Sequence, residues 1–298
     1  MKQKRQYSVA VVIPTIGNCL LKKAIQSVQA QTYRINEIIV VADIEGPIDL
    51  PDDLRLKLIR VGPRAGGNVA RQAGINESKS DVIALLDDDD EWLPNKVEAQ
   101  LTAVAERDIS NGLWLSSSRI LITKPNFPEI LVPKKLCEEG EKLTHYLFKR
   151  TGIKSNSGFI QSSAMMFPRN MAVKVPFDGR LRYHQDIAWI VDVCNRFDKL
   201  VFIQCAEALV IKNSIDASVS KTITHEKSIA WARERLSADP RILGDFILTQ
   251  SLLFAKNSGL TKNMIHTILA GLKFGSPGFA AIIYSLLTTL KAIVVKPR

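Results

Sequence analysis

Cysteine is scarce in this chain: Cys19, Cys137, Cys194 and Cys205 stand far apart along 298 residues. Such spacing offers neither a metal-ligand pattern nor a disulfide framework, and reduced thiols in the cytoplasm are the simplest account. The N-terminus, Met1 to Tyr7, lacks the apolar stretch and small-residue cleavage site of a signal peptide. No fixed-period repeat or low-complexity tract is present. No apolar run reaches the roughly 20 residues of a transmembrane helix. Also missing is a long basic arm interleaved with aromatics, so nucleic acid is not an expected partner.

What is present is an ordinary globular composition, with 46% hydrophobic and 23% charged residues. The length suits one large α/β domain with an appendage, or two modest domains. The net charge of +10 suits an anionic partner such as a phosphorylated ligand or an anionic lipid. A solvated basic surface would give the same number, since the Lys and Arg are scattered in short pairs such as Lys22-Lys23 and Lys134-Lys135.

Apolar runs at 9–13, 38–41, 56–61 and 82–86 predict strands. Between and after them, apolar residues recur at helical spacing: Leu21, Ala24, Ile25 and Val28, then Val69, Ala70, Ala73 and Ile75, then Val97, Leu101 and Val104. This alternation predicts an α/β fold with a mostly parallel sheet flanked by helices. Ligands of such sheets bind beyond the carboxyl ends of the strands. Three strand ends carry polar groups (Thr15, Asp43 and the run Asp87-Asp88-Asp89-Asp90), and they are expected to share one crevice. Residues 109–180 mix short strands with turns, 186–193 look helical, and 224–298 form a helical C-terminal extension.

Four adjacent carboxylates at a strand end raise one another's pKa, and desolvation adds to this. A bound divalent cation offsets the repulsion, and carboxylate oxygens suit Mg²⁺ or Mn²⁺. In an extended segment Asp87 and Asp89 point to one side and Asp88 to the other, while Asp90 is free to cap the next helix. The competing reading is an acidic helix start, with an Asp N-cap and Pro94 in the first turn. Capping needs only one Asp and leaves three unexplained.

Four segments then fall in register: Val12-Ile13-Pro14-Thr15, Glu37-Ile38-Ile39-Val40-Val41, Val69-Ala70-Arg71-Gln72-Ala73-Gly74, and Leu86-Asp87-Asp88-Asp89-Asp90-Glu91-Trp92-Leu93-Pro94. In order and spacing they resemble the family-2 glycosyltransferases of the GT-A fold. The likeness spans about residues 7–105, and Gln161-Ser162-Ser163 and His184-Gln185-Asp186 carry it more weakly to about 220. It implies a domain over 1–222, with a nucleotide-sugar half at 7–105 and an acceptor half at 106–222, and a helical extension over 223–298. It implies inverting transfer from a nucleoside-diphosphate sugar, UDP favoured, to a saccharide or lipid-linked acceptor in bacterial surface polysaccharide or glycolipid synthesis. Asp89 resembles the metal ligand, and Asp87 its partner near the donor ribose and metal. Asp43 matches the base contact, Pro14 and Thr15 line that pocket, and Asp88 joins the donor set. Arg71 lies beside the nucleotide in the family, although a structural salt bridge explains it nearly as well; Asn68 is a weaker candidate. Two departures stand out. Val41-Ala42-Asp43-Ile44-Glu45 has one carboxylate fewer than the family's usual pair, and Ile16-Gly17 replaces the usual aromatic.

Inverting transfer needs a base for the acceptor hydroxyl. Asp186 resembles the family's Glu-Asp position, with Gln185 replacing Glu; an N-cap role is the alternative. His184 is a rival base. Trp92 and Trp189 suit core packing better than sugar stacking. Gly66-Gly67 opens a helix as a phosphate cradle or as a simple turn. A nucleotidyltransferase would want a Gly-rich, Arg-containing loop, which Pro14-Thr15-Ile16-Gly17-Asn18 does not supply. A catalytically silent sugar- or nucleotide-binding module is the rival from another class. Finally, Phe279, Ile283, Leu286, Leu287, Leu290 and Val294 form an apolar stripe, with Ser285, Thr288 and Lys291 off it. That helix either packs on the domain or rests on the cytoplasmic membrane surface.

Overall fold

The computed structural model describes residues 6–107, 109, 112–153, 158–213 and 223–294. Two compact units divide the chain: Met1–Leu136 with Ile160–Ala217, and Cys137–Phe159 with Ser218–Arg298.

The first unit holds one nine-stranded sheet. Its first strands are β1 (Val9–Thr15), β2 (Glu37–Ala42), β3 (Leu56–Arg60) and β4 (Val82–Leu85). They pair in parallel in the order β3-β2-β1-β4. Helices α1 (Leu21–Gln29) and α2 (Gly67–Glu77) follow β1 and β3, and α3 (Lys96–Ala105) comes later in the chain. Residues 9–13 and 82–86 are all fully buried, which is why these strands read as continuous apolar runs rather than alternating ones. Helix α1 buries Leu21, Ala24, Ile25 and Val28, the face its spacing predicts. Gly74 lets α2 approach the sheet, since a Cβ there would lie 2.5 Å from Val12 Cγ1.

Beyond β4 the sheet is mixed. Added to it are β5 (Asp90–Trp92), β6 (Trp114–Thr123), β7 (Ile130–Val132), β8 (Met166–Pro168) and β9 (Val201–Asn213). Strand β8 runs antiparallel to β4 and β6, β9 runs parallel to β6, and β5 closes the edge antiparallel to β9. The parallel pattern therefore holds for the first half only, and antiparallel pairing begins at β8. Two further helices, α5 (Arg169–Lys174) and α6 (Gln185–Arg196), belong to this unit.

The second unit is helical: α4 (Leu143–Phe148), α7 (His225–Arg235), α8 (Pro240–Phe246), α9 (Leu252–Asn257), α10 (Thr261–Phe274) and α11 (Phe279–Val294), with a π-helical turn at Ile247–Ser251 between α8 and α9. Phe246 packs edge-on against Phe148 and tilted against Trp231. Asp245 is fully buried and accepts from Arg241 Nε and from the backbone N–H of Arg150 and Gly278. Helix α11 buries Ala281, Ser285 and Thr289, while Phe279, Leu286, Leu287, Leu290 and Val294 are exposed. The apolar stripe thus faces outward, and packing uses the opposite, small-residue face.

Candidate active site

Register places Thr15 beside Ala42 and Val12 beside Leu85, so β1, β2 and β4 end at one edge of the sheet. Thr15, Asp43 and the carboxylate run leave from that edge. Asp43 is nearly buried, and its two oxygens accept the N–H groups of Ala65 and Gly66, each at 2.6 Å. A Cβ at Gly62 would collide with Asp43 Oδ1 at 1.9 Å, and Gly66 sits at φ +99°. Asp43 therefore fastens the loop before α2 to the end of β2.

Residues 87–90 form a turn closed by Asp90 N–H to Asp87 C=O at 3.2 Å, not the extended segment the i, i+2 argument assumed. Each carboxylate has its own surroundings. Asp87 pairs with Arg71 Nη2 at 2.8 Å. Burial pushes Asp87 up, but Arg71, Lys212 and hydrogen bonds from Arg71 and Gln161 hold it below the ordinary carboxylate value. Asp88 accepts the Thr15 hydroxyl at 2.5 Å, and burial, with Asp87 and Asp89 adding, pushes it up to about 6. Asp89 is raised by burial and by Asp87, and no side chain among the described residues donates to its carboxylate. Asp90 does not cap α3, which begins at Lys96 with Asn95 as its N-cap. It lies instead in β5, fully buried, and accepts from Gln161 Nε2 at 2.7 Å and Ser163 Oγ at 2.6 Å. Burial and Asp87 push Asp90 up to about 7.

Asp186 lies in the first turn of α6, one residue inside the helix, so it is not the N-cap. Its oxygens accept Ser162 N–H at 3.0 Å and Ser162 Oγ–H at 2.7 Å. The segment Gln161-Ser162-Ser163 thus bridges the carboxylate turn and Asp186, because Gln161 and Ser163 hold Asp90 and Asp87 while Ser162 holds Asp186. Arg71 makes a second bridge. It is buried, and its Nη1 donates to Gln185 Oε1 at 2.9 Å. With a neutral amide at Gln185, Asp87 is the only ion-pair partner in direct contact with this guanidinium among the described residues. His184, the rival base, is the N-cap of α6 at φ +54°, and burial pushes its imidazole down to about 4, which makes it a weak base.

Sequence patterns missed Lys212. Register sets it opposite Asp90, with Nζ 3.9 Å from Asp90 Oδ1, and its positive charge acts on Asp87, Asp89, Asp90 and Asp186. Its neighbour Asn213 donates to the Asp89 carbonyl at 2.9 Å. Neither has a local motif; a pairing across 122 positions brings them here.

Other candidates resolve into packing. Trp92 is buried and donates Nε1–H to the Ser163 carbonyl; Trp189 is buried and stacks on Phe177 at 4.7 Å. Asn68 is buried and donates to the Asp178 carbonyl. Lys96 lies 3.9 Å above the Trp92 ring, and among the described residues its Nζ has no hydrogen-bond partner. Burial pushes that amine down to about 7. Its folded pKa therefore lies below its unfolded value near 10.4, so the unfolded chain binds more protons between pH 7 and about 10, and stability rises with pH across that window. Lys96→Met is expected to add about 1–3 kcal/mol at pH 7, with the gain shrinking toward pH 10. Urea unfolding of both proteins across this pH range would refute the assignment if the difference stayed flat.

Whether a divalent cation suits this turn is decided by its donor set. Among the described residues no group of three or more His, Cys, Asp or Glu side chains is arranged to hold a metal. Mg²⁺ needs only one or two carboxylates when substrate phosphates supply further oxygens. Burial and the like charge of Asp87 raise Asp89, and among the described residues no side chain donates to its carboxylate. Carboxylate oxygens of this kind suit a hard cation.

The parallel half of the sheet thus ends in a carboxylate turn that the segment Gln161-Ser162-Ser163 ties to Asp186, the arrangement of an α/β fold with one polar site at its strand ends. The chain belongs to glycosyl transferase family 2, whose sequence model matches residues 10–167. The amylovoran biosynthesis glycosyltransferase AmsB of Erwinia amylovora is 28% identical over 210 residues, 66% of each chain. This chain thus spans just under two thirds of that relative. The UDP-Glc:alpha-D-GlcNAc-diphosphoundecaprenol beta-1,3-glucosyltransferase WfgD of Escherichia coli is 29% identical over 111 residues, 35% of this chain and 44% of WfgD. The crystal structure of S. aureus TarS 1–349 superposes with a TM-score of 0.54 at 12% identity, over 97% of this chain and 92% of that one. At that identity the likeness concerns the fold alone.

Proposed function

We propose that this chain moves a glycosyl group from a nucleoside-diphosphate sugar, UDP favoured, onto a hydroxyl of a saccharide or lipid-linked acceptor, with inversion at the anomeric carbon. The observation that carries the proposal is the unequal treatment of neighbouring carboxylates. Asp87 pairs with Arg71 and Asp90 is buried beneath donors, whereas among the described residues no side chain donates to Asp89 and Ser162 alone holds Asp186.

In this reading Pro14, Thr15 and the Asp43-anchored loop line the base pocket. Asp87, Asp88 and Arg71 face the donor, and Asp89 with Asp87 would hold Mg²⁺ or Mn²⁺. Bound there, the cation would act as a Lewis acid on the departing diphosphate. Arg71 and Lys212 keep a positive field over the same place. Asp186 accepts the acceptor's hydroxyl proton while Ser162 fixes its orientation. The names of AmsB and WfgD refer to amylovoran biosynthesis and to a diphosphoundecaprenol acceptor. Both support a role in bacterial surface polysaccharide or glycolipid assembly. Among the described residues no helix is long and apolar enough to cross a membrane.

UDP release from a panel of UDP-sugars, with Mn²⁺ or Mg²⁺ and after chelation, is the test. Turnover should need the metal. Asp89→Asn is expected to cut kcat/KM by about 10²–10³-fold, the several kcal/mol that a metal supplies to developing charge. Nucleotide binding without any release would instead identify a silent binding module. Equal rates for Asp89→Asn and wild type would remove Asp89 from the site.

A further inference from the structure

We infer that α10 and α11 form a docking face for an anionic lipid surface. Of the 19 large apolar side chains exposed among the described residues, 11 fall between residues 253 and 294. On α10, Ile265, Leu269 and Leu272 are 48–61% exposed; on α11, Leu286, Leu287 and Leu290 are 42–57% exposed. These are not scattered. At 100° per residue, Ile265, Leu269 and Leu272 share one arc of α10 with the exposed Lys262 and Lys273. The α11 residues share one arc with Lys291 at its edge.

The inward faces explain why large side chains point out. Thr267, Ala270 and Gly271 of α10 are buried, and Gly271 packs so closely that a Cβ would lie 2.7 Å from Leu248 Cδ2. Helix α11 turns Ala281, Ser285 and Thr289 inward. Small residues bring the helices close and leave the bulky apolar groups exposed among the described residues.

Charge selects the occupant. From residue 246 to 298 the sequence holds five Lys and one Arg and neither Asp nor Glu. A second copy of this face would bring like charges together, which costs several kcal/mol. Anionic headgroups complement it, at about 1 kcal/mol per basic residue near the surface. Leucine and isoleucine between lysines on one arc is the pattern of a helix lying in the interface plane. Helix α11 has 16 residues. Those described residues run about 24 Å and suit a helix lying along the bilayer surface.

Full-length protein should float with vesicles that are roughly a third phosphatidylglycerol at least about tenfold better than with phosphatidylcholine alone, and less well at high salt. The pair Leu269→Glu and Leu290→Glu sits on exposed positions and should abolish flotation with an unchanged melting temperature. Lys262→Glu with Lys273→Glu should remove the preference for the anionic vesicle. Equal flotation with both vesicles, no flotation with either, or flotation unaffected by the leucine pair overturns the inference. So does a concentration-dependent dimer, by light scattering, that the leucine pair dissociates. The assay uses no sugar donor, so its outcome is independent of the transfer reaction.

Discussion

Asp186→Asn is expected to lower kcat by about 10²–10⁴-fold while donor binding stays intact, which is the usual contribution of a positioned general base. The wild-type carboxylate accepts two bonds from Ser162, one from N–H and one from the hydroxyl. An amide keeps the shape but offers one acceptor oxygen and cannot take a proton. The side chain still reaches Ser162, so the fold survives and the loss falls on chemistry. Ser162→Ala serves as the companion. It removes the hydroxyl bond but keeps the N–H bond and the carboxylate, so its kcat should fall far less than that of Asp186→Asn. Steady-state kinetics together with nucleotide binding by calorimetry separate the two effects. Turnover by Asp186→Asn at the wild-type rate would assign the base elsewhere.

Arg71→Met should cost about 3 kcal/mol of stability and most of the donor affinity. Removing one partner of a buried ion pair leaves the other charge uncompensated, at roughly 3–5 kcal/mol. The Arg71 side chain is only 8% exposed, but Asp87 keeps 23%, so water recovers part of the loss and the low end applies. Asp87 would then titrate upward, since Arg71 opposes the effect of its burial. Adding Asp87→Asn to Arg71→Met should restore part of the stability but none of the donor affinity. Urea unfolding of the four proteins of this cycle measures the coupling. Strict additivity would show that Arg71 acts on stability through packing and not through Asp87.

Much of this was legible along the chain, and the reason is local. Continuous apolar runs such as 9–13 mark strands buried on both faces, and Leu21, Ala24, Ile25 and Val28 mark a helix face, because burial and backbone period act over a few residues. The resemblance in the four segments named the family, and the family model and the fold bear that out. Less was legible in the carboxylates. Four identical side chains in a row carry no sign of which is paired, buried or open.

The tertiary structure made that division. Asp87 meets Arg71 from α2, Asp90 lies under Gln161 and Ser163, and Lys212 arrives through strand pairing. The outward face of α11 was decided the same way. Its apolar stripe is plain in the sequence, but which face turns inward depends on how closely Ala281, Ser285 and Thr289 let the helix approach its neighbours. By itself the sequence determined the parallel half of the sheet, the family and the carboxylate run, since periodicity and motif spacing are local properties. Only the tertiary structure decided the surroundings of each aspartate and the outer surface of the helical unit, because ion pairing, burial and exposure depend on neighbours distant along the chain.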